Sequence, residues 1–132
     1  MPTLFTEIIE KNLPAYIIAE DAEHIAFLDI APVAKGHTLV VPKKEVDYLF
    51  DLSDHVLGKL LTFTKKIALA LEHAVPCQRI GMAVLGLEIP HAHIHLVPIQ
   101  QEKDLNLQVP RLTPSHTDLS ELAHQVKNLI KP

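Results

Sequence analysis

Three histidines alternate with apolar residues in Pro90-His91-Ala92-His93-Ile94-His95-Leu96-Val97-Pro98. Period-two alternation is a strand pattern, because successive side chains leave a strand on opposite faces. One face then carries three imidazoles rooted roughly 6.6 Å apart, and the other presents a small apolar row to a core. Single histidines in strands are ordinarily tolerated polar residues, and nine are available to scatter here. Strict alternation bracketed by strand-ending prolines is not scatter. Two chemistries suit such a row. Neutral imidazoles bind zinc or another transition metal, with His-x-His giving two ligands and a third coming from elsewhere. Alternatively, one imidazole is a nucleophile while its neighbours hold and neutralise a phosphate, which a pKa near ~6.5 favours around neutral pH.

Other residues bear on that choice. His37, after Gly36, opens another strand-like run and is placed to close the cluster from the side. Asp29 ends a run where a carboxylate can hold sugar hydroxyls, although an aspartate before a loop is often only a turn former. Glu88 is the carboxylate nearest the triad in sequence, so the metal reading stays open as the weaker one. His24, Glu45, His55, His73, His116 and His124 stand in polar or helical surroundings and are expected to face solvent. Lys43 and Lys44 read as a solvated turn, and Cys77 as an inert small residue.

The elements that must position these groups are legible from their periods. Leu4, Phe5, Ile8 and Ile9 predict a short helix within residues 3–11, stopped by Asn12 and Pro14. The runs 16–20 and 24–30 predict a hairpin turning at Glu20, Asp21 and Ala22, and 37–42 predicts a third strand. Ser53 or Asp51 caps a helix over about 53–75 with the stripe Val56, Leu57, Leu60, Leu61, Thr64, Ile67, Ala68, Leu71 and Val75; Pro76 closes it. A fourth strand is expected at 79–85, a turn at 86–90, and the histidine segment as the fifth strand. Residues 100–114 are polar and proline-bounded, a surface excursion, before a last helix from Thr117 or Asp118 carrying Leu119, Leu122, Ala123, Val126, Leu129 and Ile130. Antiparallel strands with helices gathered on one side imply an α+β domain.

Composition narrows the function classes. The 132 residues form a single domain, 1–132, with 48% hydrophobic residues to build a core. Net charge is −4, and lysine and arginine form no stripe, so the footprint of a nucleic-acid polymer is missing. With one cysteine, neither an intramolecular disulfide nor a cysteine-based zinc site can form. No window approaches a membrane span and no basic-then-apolar leader is seen, so a cytoplasmic setting is expected.

The chain resembles the histidine triad (HIT) family. His91-Ala92-His93-Ile94-His95-Leu96-Val97 matches its hallmark His-φ-His-φ-His-φ-φ at every position. Phe27-Leu28-Asp29-Ile30-Ala31-Pro32 and Gly36-His37-Thr38-Leu39-Val40-Val41-Pro42-Lys43-Lys44 follow the family's order and spacing. The resemblance runs from Phe5 to about Pro98, giving a core of 1–99 and a variable loop and helix over 100–132. It implies a five-stranded antiparallel sheet with one long helix and shorter ones, usually a homodimer. It implies a nucleotidyl hydrolase or transferase acting on a purine nucleotide, such as a nucleoside phosphoramidate, with no cofactor and no catalytic metal. By position His93 attacks the α-phosphorus to form a nucleotidyl-histidine, His91 orients it, and His95 and His37 stabilise phosphate charge. Asp29 binds the ribose, and Phe27, Leu28, Ile30 and Leu39 line the base pocket.

The chain also departs from the family pattern. Many relatives hold a structural zinc with two early cysteines, a histidine after Pro-Lys-x and the first triad histidine. Thr3, Thr6 and Glu45 stand at those places, so no zinc is expected. The polar loop before the triad is replaced by Gly81-Met82-Ala83-Val84-Leu85-Gly86-Leu87-Glu88, with Glu88 where relatives carry a serine. Protonated, Glu88 would be a general acid for the leaving group; ionised, it would repel a phosphate. Two rivals to the hydrolase follow: a nucleotide-binding module of low activity, and a metalloenzyme built on His91, His93 or His95 with Glu88.

Overall fold

A computed structural model describes residues 2–130. Helix α1 (Leu4–Ile9) is opened by Thr3, whose hydroxyl accepts from the Thr6 amide while the Thr6 hydroxyl accepts from the Thr3 amide. The helix ends where Lys11 takes a left-handed φ of 65°. Strands β1 (Ile17–Glu20) and β2 (His24–Leu28) make the expected hairpin. Its turn is held by Asp21, whose Oδ1 accepts from the Glu23 and His24 amides at 2.8 and 2.7 Å. Strand β3 (Thr38–Pro42) precedes the long helix α2 (Asp54–Ala74), capped by Ser53. Then come β4 (Arg79–Ala83), β5 (Ile94–Ile99) and, after a polar crossing, α3 (His116–Leu129), capped by Ser115 with Asp118.

All strand pairings are antiparallel, in the order β1-β2-β3-β5-β4. The expected α+β architecture is present. Side chains alternating through the central strands feed two apolar layers. One gathers Ile18, Ala26, Leu28, Val40, Ile94 and Leu96 under α2 and α3. The other gathers Ile25, Phe27, Leu39 and Val41 under Phe5 and Ile8 of α1. The helices are therefore not all on one side: α2 and α3 cover one face, and α1 a corner of the other. α3 shares its layer with α2 through Leu119, Leu122, Ala123 and Val126.

Three expectations need correction. The histidine segment is not a strand along its whole length, since β5 starts at Ile94. Pairing from β3 stops there because the ladder's last rung is Val40 with Ile94, and Pro42 beyond it has no N–H to offer. The Ala92 amide instead donates to the Val46 carbonyl, and the His91 amide to that of Ile89. The alternation survives without the strand: Ala92, Ile94 and Leu96 enter the core while the imidazoles leave the other way. On α2 Leu60, Thr64, Ile67 and Leu71 of the expected stripe are buried, but the buried face is wider on one side and excludes Leu61. Phe63, Ala70 and Ala74 are inside, and Leu61 is 42% exposed. Finally, His24 is buried rather than solvent-facing, its ring stacked 4.9 Å from Phe63 and its Nδ1 3.0 Å from Asp21.

Candidate active site

On the α1 side of the sheet lies a depression of about 290 Å3. His93 and His95 form its floor with Leu39 of β3. Its walls come from the start of α1 (Leu4, Phe5), the end of β2 (Asp29), the turn 85–89, and Leu107, Gln108 and Arg111 from the crossing to α3. Among the expected site residues, His93, His95, Asp29, Leu39 and Glu88 meet there. His37 and His91 lie just behind it as hydrogen-bond partners, and Phe27 backs it in the layer with Phe5 and Leu39. Leu28 points to the opposite face of β2, into the α2 layer, and Ile30 is 66% exposed beside Tyr16. The structure brings neither to the depression.

The hydrogen bonds assign the ring protons. A carbonyl only accepts, so His93 donates its Nδ1–H to the His91 carbonyl at 2.8 Å and keeps a lone pair on Nε2. The Val33 amide donates to His37 Nδ1 at 3.1 Å, so the neutral His37 ring carries its hydrogen on Nε2. That Nε2–H donates to His95 Nδ1 at 2.9 Å, which in turn puts the hydrogen of His95 on Nε2. The pair His93 and His95 thus offers one lone pair and one N–H, with rings 4.9 Å apart. Burial pushes all three rings toward the neutral form. His37 and His95 fall to about 4, helped by Arg111 for the first and by His93 and His37 for the second. His93 is lowered mainly by burial.

His91 is locked from both ends. Its Nε2–H donates to the Pro42 carbonyl at 2.8 Å, and the Thr3 hydroxyl lies 3.0 Å from its Nδ1. Thr6 in turn donates its hydroxyl to Glu45 at 2.7 Å. Thr3, Thr6, Glu45 and His91 are the positions at which the family resemblance would put a zinc, and here they form a hydrogen-bonded cluster. Two neutral hydroxyls beside a carboxylate are not the thiolate and imidazole set that a structural zinc takes, so these residues do not fit the metal. Nor do the triad rings present a ligand set: both nitrogens of His91 are bonded within the protein and the outward nitrogen of His95 carries its hydrogen, which leaves the lone pair of His93 alone. Among the described residues no group of three histidine, cysteine, aspartate or glutamate side chains is placed to hold an ion.

Asp29 has a double role. Its Oδ1 accepts from the Ala31 amide at 2.9 Å, a turn-forming bond, and its Oδ2 stands 3.8 Å from His37 Nε2. Sequence reasoning missed Arg111, which donates to the Ala31 carbonyl at 2.8 Å and approaches Asp29 Oδ2 at 3.4 Å. The available signal was a lone charged residue in the uncharged, proline-flanked run 105–114. Apolar Leu85, Leu87 and Ile89 rim the mouth on the other side.

Comparison with known proteins gives the arrangement its context. The sequence matches the model of the HIT domain over residues 10–102. The adenosine 5'-monophosphoramidase of Schizosaccharomyces pombe is 31% identical over 134 residues, covering 99% of this chain and all of that protein. A Hit-like protein of Bartonella henselae superposes with a TM-score of 0.84 at 29% identity, over 96% of this chain and 95% of that one. A zinc-bound histidine triad family protein of Mycobacterium smegmatis gives 0.81 at 25% identity, over 96% and 91% of the two chains. Triad, sheet and matched sequence agree, and this chain belongs to the HIT family.

Proposed function

We propose that the protein is a metal-independent nucleoside phosphoramidase that works through a covalent nucleotidyl-histidine at His93. The observation that carries this reading is the 2.8 Å bond from His93 Nδ1–H to the His91 carbonyl, which leaves Nε2 as the lone-pair nitrogen in the depression. Burial keeps that nitrogen unprotonated at neutral pH. In the first step Nε2 attacks the α-phosphorus, the phosphorus–nitrogen bond to the leaving amine breaks, and the amine takes up a proton. That proton is drawn from solvent at the mouth, where Glu88 stands exposed. Water then attacks the phosphorus, the bond to Nε2 breaks, and nucleoside monophosphate and a proton are released. The N–H of His95, backed by His37, is the donor for a phosphate oxygen, Asp29 for the ribose hydroxyls is the acceptor, and Leu39 and Phe27 supply apolar surface for a purine.

A second copy belongs to this reading. Leu61 and Leu69 on α2, with Met82 and Val84 along the unpaired edge of β4, are exposed apolar groups. No described helix is long and apolar enough to cross a membrane.

The test is intact-protein mass spectrometry after a denaturing quench above neutral pH, because phosphoramidate bonds hydrolyse in acid. The wild type mixed with an adenosine phosphoramidate gains one nucleoside monophosphate, and His93→Ala gains none while still binding AMP. The same protein sprayed from a native buffer reads as two copies. Turnover by His93→Ala at the wild-type rate sinks the covalent mechanism. Binding of AMP with no adduct and no product moves the assignment to a nucleotide-binding module.

A further inference from the structure

Charge is the unsolved problem of this depression. Its lining carries two carboxylates, Asp29 and Glu88, and its two imidazoles are neutral around pH 7. A phosphate would enter a pocket of its own sign. Among the described residues the one permanent cation in the lining is Arg111, contributed by the segment between β5 and α3 that carries no family motif. Lys35 lines other cavities, and Lys43 is paired with Glu20 at 2.8 Å.

Building on the nucleotide reading, we propose that Arg111 is the phosphate counter-charge of this site, the group that lets a nucleoside monophosphate enter beside Asp29 and Glu88. Backbone carbonyls hold the guanidinium at the rim: Nη1 donates to Ala31 at 2.8 Å and Nη2 to Leu107 at 3.3 Å. Its approach to Asp29, at 3.4 Å, is longer than a tight charge-assisted bond, so the pairing leaves guanidinium donors open to a second anion. A guanidinium has five N–H donors, and the bonds found here account for three. The segment itself is anchored to the ribose side of the site by the Leu112 amide, which donates to the Pro32 carbonyl at 2.8 Å. The charge is also felt inside, since Arg111 contributes to keeping the protons off His37 and His95.

The test compares AMP with adenosine, which differ by the phosphate alone, using calorimetry on the full-length wild type, R111Q and R111K. Glutamine keeps an amide donor for the carbonyls and removes the charge; lysine keeps the charge and loses the fork. The expected result is an AMP affinity lowered roughly tenfold in R111Q, unchanged adenosine affinity, and near-wild-type behaviour in R111K. Raising salt from about 50 to 500 mM should weaken AMP binding to the wild type more than to R111Q. R111Q binding AMP within twofold of the wild type overturns the proposal. So does an equal loss for AMP and adenosine, which would make Arg111 a strut of the loop, or an R111K as weak as R111Q. A wild type that hydrolyses no phosphoramidate yet prefers AMP to adenosine through Arg111 removes the chemistry and leaves this assignment standing.

Discussion

Each site histidine has at least one ring nitrogen fixed by a neighbour, and those neighbours decide which nitrogen can react. Main-chain groups do most of the fixing: the Val33 amide for His37, the His91 carbonyl for His93, the Pro42 carbonyl for His91. Side chains fix the rest: the His37 N–H fixes His95, and the Thr3 hydroxyl serves both as the cap of α1 and as the partner of His91 Nδ1. Thr3→Val should therefore cost about 1–3 kcal/mol of stability, the sum of a lost cap and an unpaired buried nitrogen. It should also lower kcat with KM little changed, since His91 holds the nucleophile rather than the substrate, whereas Thr3→Ser restores both. Urea titration and steady-state kinetics check the two halves separately. At this scale the histidines were legible because the chemistry sits in types at a fixed spacing. Thr3 and Arg111 were not, because their meaning comes from partners 88 and 82 positions away. His24 was misread for the same reason: its ring is buried by Phe63, thirty-odd residues on, and no local pattern records that.

At the scale of elements, periodicity placed every α-helix and strand of the described residues but neither short 3-10 turn, at Leu49–Asp51 and Glu102–Asp104, and element ends and facings were where it faltered. The stripe on α2 took in the exposed Leu61 and left out Ala70 and Ala74, because alanines carry little hydrophobic signal yet allow the close approach that buries them. The triad strand was read three residues early, because the stop is imposed by Pro42 on a different strand. Connections matter as much as elements here. Gly36, at φ +93°, turns the chain so that His37 arrives next to His95, and a Cβ there would meet Pro98 Cγ at 2.9 Å and Val75 Cγ2 at 3.0 Å. Alanine at this position meets both a strained backbone and ring carbons on a packed strand. Gly36→Ala is expected to destabilise the fold by about 1–3 kcal/mol and to lower activity by displacing His37, read as a lower urea midpoint and a reduced kcat. An unchanged midpoint would mean that β5 gives way more easily than its buried position implies.

For the molecule as a whole, the same burial that prepares the site makes the fold acid-sensitive. In the unfolded chain the rings of His37 and His95 take up protons near pH 6.5, whereas in the folded protein they hold out to about 4. Between those values the unfolded state binds more protons, so stability is highest above pH 6.5 and is lost as pH falls toward 4. The loss is on the order of 1 kcal/mol per pH unit for each ring at its steepest, which for a domain of this size is a large share of the total. Asp21 and Glu20, whose pKa values lie below the usual carboxylate range, prolong the decline at still lower pH. Urea unfolding at pH 7.5, 6 and 5 should show midpoints falling steadily. The double variant His37→Gln, His95→Gln, which cannot take up those protons in either state, should show a flatter profile even though it starts from a lower value. A wild-type profile flat between pH 7.5 and 5 would mean that the two rings are not kept neutral by burial. The lone pair on His93 would then lack the environment that keeps it free of a proton, and the nucleophile assignment would lose its electrostatic support.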